Sequence, residues 1–142
     1  MNPAQTAKFA PILAPISVAG GATATSLVVD TLGFSHGAFY AFFGLIGANG
    51  ITACKFQEAD TSGGSYTDIS GADIGALTDS DDGECHGGTI KFGAGRKRYI
   101  KIVLTNGATN ASLCSAFALL YGANEVPNSA TERGLSSQFT VS

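Results

Sequence analysis

The chain has no tryptophan, a single methionine and two histidines, and charged residues make up only 13% of its 142 positions. Soluble proteins ordinarily carry roughly 25%, so the composition argues against a surface fully given over to water. Its three cysteines, Cys54, Cys85 and Cys114, are odd in number and widely spaced. That argues against a disulfide framework and fits reduced, buried thiols. No apolar run approaches the ~20 residues needed to cross a bilayer. The opening residues, Met1 to Lys8, lack a basic cluster followed by an apolar stretch, so synthesis in a cytoplasm with no membrane partner is expected. Eight basic residues against eleven acidic ones leave a net charge of −3, which argues against general affinity for nucleic acid.

Hydrophobic residues, by contrast, reach 44%, the mean hydropathy is +0.20 and there are 19 glycines. Apolar, uncharged surface stays soluble when association removes it from water. The expectation is a single domain of the commonest size, much of whose outside is covered by neighbours.

Along the chain, residues 1–15 hold Pro3, Pro11 and Pro15 among Phe9, Ile12 and Leu13. Prolines at this density prevent a regular central strand, so this segment reads as an extended arm. Ile16–Ala19 and Ala24–Asp30 then read as strands, and His36–Ile46 as a strand covered on both faces. The dipeptide Asn49-Gly50 is a strong hairpin signal and predicts antiparallel pairing of His36–Ile46 with Ile51–Glu58. Within the latter, Cys54 and Phe56 should point inwards. Tyr66–Ile69 is a short return, Asp73–Gly88 a long polar loop, and Thr89–Phe92 another strand. Ile100, Ile102 and Leu104 alternate with Tyr99, Lys101 and Val103, as a half-buried strand requires. Ser112–Tyr121 is a last core strand, although its alanines are also compatible with a helix. Seven or eight strands with short turns predict an all-β fold, a single jelly-roll-like β-sandwich over residues 16–122. It is flanked by an N-terminal arm (1–15) and a C-terminal arm (123–142).

No catalytic constellation emerges. The loop Asp79-Ser80-Asp81-Asp82-Gly83-Glu84 has oxygen ligands suited to calcium, but its spacing is not that of an EF-hand. Cys85 and His86 lack the further ligands of a zinc site. As neighbours on a strand they would face opposite ways, which disfavours a nucleophile and base pair. Neither a metal nor a cofactor is therefore assigned. Phe39, Tyr40, Phe42 and Phe43 could line a sugar groove, and core packing is the alternative. The candidate partner-binding residues are Phe9, Ile12 and Leu13 in the first arm, the basic pair Arg96 and Arg98, and Phe139 and Val141 in the last. The stretch Gln138–Val141 is extended in character and suited to joining a neighbour's sheet.

The run from Lys55-Phe56-Gln57-Glu58-Ala59-Asp60 through Thr61-Ser62-Gly63-Gly64-Ser65 to Tyr66-Thr67-Asp68-Ile69, with the later Lys97-Arg98-Tyr99-Ile100-Lys101-Ile102-Val103-Leu104, resembles small virion proteins of tailed bacteriophages. The resemblance extends over residues 25–122 and points to capsid decoration, or cement, proteins. It implies a non-enzymatic structural protein on the capsid exterior, made in the host cytoplasm, a homotrimer or homodimer bound to the major capsid protein. A head-tail connector, collar or fibre-base subunit, or a carbohydrate-binding β-sandwich, are the alternative expectations.

Overall fold

Strand alternation governs the architecture. In Tyr99–Asn106 every second residue, from Ile100 to Asn106, is buried and the intervening ones are half exposed. The computed structural model describes residues 6–107, 109–124, 129–137 and 139. In chain order its strands are β1 (Lys8–Val18), β2 (Thr23–Thr25), β3 (Val29–Asp30), β4 (Phe34–Phe43), β5 (Ile51–Ala59), β6 (Thr67–Asp73), β7 (Cys85–Lys91), β8 (Tyr99–Asn106) and β9 (Ser112–Ala123). Among the described residues a single 3-10 turn, at Asp79–Asp81, interrupts them.

The strands form two antiparallel sheets. The first has the order β1-β9-β4-β7; the second runs β2-β8-β5-β6, with β3 also paired to β8. Counting β2 and β3 as one broken strand gives the strand order of a jelly roll, as the sequence predicts. The break has a local cause. Between β2 and β3, Ser26 Oγ accepts the Ile102 amide at 2.8 Å, and the Leu27 amide turns away to the Ile12 carbonyl of the other sheet at 2.7 Å.

The interior lies between the sheets. Ile12, Phe39, Phe43 and Leu120 from the first sheet meet Cys54, Phe56, Ile100, Ile102 and Leu104 from the second, all essentially inaccessible to water. Phe39 and Phe56 touch edge to face across this gap, with ring centroids 5.4 Å apart. Cys54 and Phe56 thus point where alternation placed them.

Three expectations need correction. β4 and β5 do not form a hairpin: β4 pairs with β7 and β9, and β5 with β6 and β8. The Asn49-Gly50 turn exists, with φ of 69° and 59°, but it carries the chain from one sheet to the other. Gly50 packs so tightly on the Leu77 carbonyl that a Cβ there would lie 1.9 Å from that oxygen. The N-terminal arm, from Lys8 onward, is instead strand β1, paired with β9 from Lys8↔Leu120 to Val18↔Ser112. Its register shifts between Pro11 and Leu13 and again between Leu13 and Ile16. Prolines are tolerated there because the strand lies at the sheet's edge and bulges past them. The segment expected as a C-terminal arm begins inside β9, and residues 129–135 fold back onto β1. Phe9 N–H donates to the Arg133 carbonyl at 2.7 Å, with Gly134 pressed against the Phe9 carbonyl.

Candidate functional site

The outer faces of the two sheets differ in chemistry. On the second sheet, Lys55 Nζ lies 2.7 Å from Asp68 Oδ2, and Gln57 Nε2 donates to Asp68 Oδ1 at 2.7 Å. These bonds, Lys55 first, hold the Asp68 carboxyl below the usual carboxylate range. Beside them the Lys101 ammonium sits 4.2 Å from the centre of the Tyr66 ring, and the hydroxyls of Thr23 and Thr105 pair at 3.1 Å. This is a solvated face of mutually satisfied polar groups.

The first sheet has no counterpart to this. Leu113, Ser115, Phe117, Leu119 and Tyr121 of β9 alternate with the buried Ser112, Cys114, Ala116, Ala118 and Leu120, and so point outwards. Beside them on β4 are Tyr40 and Phe42, and on β1 Phe9 and Pro11, with Ile16 past the second register shift, opposite Cys114. Leu113 is 48% exposed, Phe42 and Ile16 46%, and Leu119 37%, large values for side chains of this size. The rings of Phe9 and Phe117 stack at 5.2 Å and those of Tyr40 and Phe117 meet at 5.4 Å, so an aromatic row crosses three strands. At one end a shallow groove runs between Ile16 and Phe42 over Leu113. Between Lys8 and Lys91 at its ends, no strand of this sheet contributes an Asp, Glu, Lys or Arg.

The residues proposed from sequence are scattered over the molecule. Phe9 belongs to the aromatic row. Ile12 and Leu13 are 0% and 7% exposed, committed to the interior and out of a partner's reach while β1 stays paired. Arg96 Nη2 faces the buried Glu58 carboxylate at 3.7 Å, which also accepts the Lys97 amide at 3.1 Å. Arg98 makes two bonds of 2.7 Å to Asp30, and this pairing lowers the Asp30 pKa. The basic cluster is thus spent on internal partners. Phe139 is 91% exposed; Val141 lies outside the described residues.

In the polar loop the 3-10 turn gathers Asp81, Glu84 and His86, whose potential ligand atoms lie within 4.8 Å of one another. Asp81 Oδ2 accepts the Thr78 amide at 2.7 Å, and His86 Nε2 is 3.3 Å from Glu84 Oε2. Asp82 points elsewhere and accepts the Ile46 amide at 2.6 Å. The Asp82 bond fastens the loop to the β4–β5 connection. β7 begins at Cys85, earlier than expected, and Cys85 and His86 take opposite faces of it, next to Phe42 and Ala41.

What sequence reasoning missed is the uncovered outer side of β9 and β4. The signal was present, since both parities of these strands are apolar, the pattern of strands covered on both faces. The four-residue aromatic run divides accordingly. Phe39 and Phe43 are interior, whereas Phe42 is exposed and Tyr40 half exposed.

Among the described residues no helix is long and apolar enough to cross a membrane. No family model and no curated protein matches the chain. Among solved structures, the crystal structure of PBSX exported protein XepA is similar in fold, with a TM-score of 0.58 at 16% sequence identity. The match covers all of this chain and 44% of that one, so this chain spans less than half the length of that protein. At this identity the likeness is one of architecture, a β-sandwich shared by both.

Proposed function

We propose that this chain is a structural protein of a tailed-phage particle, held in place by neighbours that cover the apolar face of its first sheet. The observation that carries this reading is the contrast between the two outer faces. A monomer living free in water would leave the row Phe9, Phe117, Tyr40 and the exposed Leu113 and Phe42 unshielded, a surface that association removes from water at a gain of ~25 cal/mol per Å². Support also comes from the likeness of its strand pattern to tailed-phage virion proteins and from a fold shared with the PBSX exported protein XepA.

Within the particle we place it on the head exterior, as a decoration protein binding the major capsid protein. Its action there is mass action: a protein that binds the assembled lattice and not the free subunits stabilises the shell by its binding free energy. Repetition by symmetry turns many weak contacts into strong retention. The test is to mix the purified protein with heads assembled without it, then measure co-sedimentation and the temperature at which the heads rupture. Binding together with a higher rupture temperature is expected. Protein that stays in the supernatant at saturating concentration, with rupture unchanged, would refute the decoration role. Electron microscopy showing it at the tail or neck would move it to the connector, collar or fibre base.

A further inference from the structure

The face that leaves β1, β9 and β4 uncovered also indicates what covers it. We propose that this chain forms a two-fold dimer by packing the outer face of its first sheet against the same face of a second copy. The inference rests on the assembly role proposed above and names the neighbour.

Charge makes the first argument. Between Lys8 and Lys91 the strands of this face supply no Asp, Glu, Lys or Arg, so a partner bringing a charge to its centre would bury that charge unpaired, at a cost of several kcal/mol. On this chain the other sheet face is ruled out as the complement by Lys55, Asp68 and Lys101. The first sheet's own face is the uncharged surface that matches it. A surface that pairs with itself does so about a two-fold axis, in a closed contact that does not propagate into fibres.

Size makes the second argument. From Leu113 to Tyr121 the sheet extends ~27 Å at ~3.4 Å per residue, and its four strands, with β7 included and Lys91 at one corner, give it a width of ~19 Å at ~4.8 Å spacing. The flat footprint is thus ~500 Å² per copy, and ~1,000 Å² for the pair before side-chain relief is added. That meets the ~1,000 Å² that a specific interface has to clear. The centre of this rectangle falls at Phe117 and Tyr40, whose rings already touch within one copy. The two-fold axis therefore passes beside them, so that each aromatic row packs against its own image.

Light scattering on the eluting protein, with sedimentation equilibrium, tests this. The expected mass is twice the 14.4 kDa of the chain. Phe42→Glu on β4 and Leu113→Glu on β9 each place a charge on a side chain already about half exposed, so the interior is spared and circular dichroism should show an unchanged sheet. Each should weaken self-association by about 100-fold or more, while Thr52→Glu on the second sheet should leave the dimer intact. A wild-type protein that is monomeric at tens of micromolar, a ring of three or more copies, or dimers that survive both charged substitutions would overturn the proposal. A monomer that still decorates heads would overturn the dimer alone, with a capsid surface as the occupant of the face. A dimer that never joins particles would support the pairing and remove the virion role.

Discussion

Ser112 donates its hydroxyl to the side-chain carbonyl of Asn106 at 3.0 Å, and both residues are sealed inside the protein. Asn106 Nδ2 donates to the carbonyls of Val18 at 2.7 Å and Asn110 at 2.8 Å, and Ser112 Oγ accepts the Gly47 amide at 3.0 Å. Two side chains thus tie the end of β1, the β8–β9 turn and the β4–β5 crossing to one point. Buried polar groups are inexpensive when every member has a partner and costly when one is orphaned. Asn106→Ala should therefore cost about 3 kcal/mol. Urea unfolding should show a lower midpoint with the slope unchanged.

Acid should loosen the flank where β3 meets β8. The bidentate bonds from Arg98 are the largest cause of the lowered Asp30 pKa. A carboxylate whose folded pKa is depressed contributes stability above its unfolded value, near 3.8, and loses it as pH falls through the lower folded value. Thermal midpoints should accordingly hold above pH 4 and decline below it. Asp30→Asn should lower the plateau and flatten that decline. An equally steep acid limb in this variant would exclude Asp30 as its source.

Thiol reactivity should separate the cysteines. Burial pushes the Cys54 thiol up to about 12, with Cys114 nearby adding to it, and burial pushes Cys114 up to about 11. Cys85 is exposed at the start of β7. Since the thiolate is the reactive form, native protein at pH 8 should take up no maleimide at Cys54 or Cys114, and what it does take up should fall on Cys85. Denatured protein should take up three, and mass spectrometry counts both.

Turn glycines divide into two kinds by consequence. At Gly50 the backbone is left-handed and a Cβ would meet the Leu77 carbonyl, so Gly50→Ala should cost ~2–4 kcal/mol. Gly134, with φ +75°, is pressed against the Phe9 carbonyl, but it holds only the folded-back segment. Gly134→Ala should accelerate tryptic cleavage after Arg133 while leaving the thermal midpoint nearly unmoved.

Much of the sandwich is legible wherever a strand separates polar from apolar by parity. Ile100, Ile102 and Leu104 assign β8 on their own, and Cys54 and Phe56 fix the inner side of β5. The Asn49-Gly50 pair misleads because a turn signal specifies local backbone and not which sheet the next strand joins. Pro11 and Pro15 mislead because proline excludes a strand from the middle of a sheet and not from its edge. The outer face escaped notice for a third reason. Parity says that β4 and β9 are apolar on both sides, and nothing local says that the second cover is missing from the single chain. The arginines carry no local sign of being paired, because their partners Asp30 and Glu58 are remote in sequence.

The pairing of β1 with β9 sets a schedule for biosynthesis. Strand β1 finds its hydrogen-bonding neighbour only after the ribosome has passed β9, with every other strand of the sandwich made in between, and such distant closures are slow. Until then Ile12 and Leu13 are adhesive and unshielded, which makes the nascent chain a client for holdase chaperones. A chain that stops anywhere before Ser112 would leave β1 and β4 without the strand that joins them.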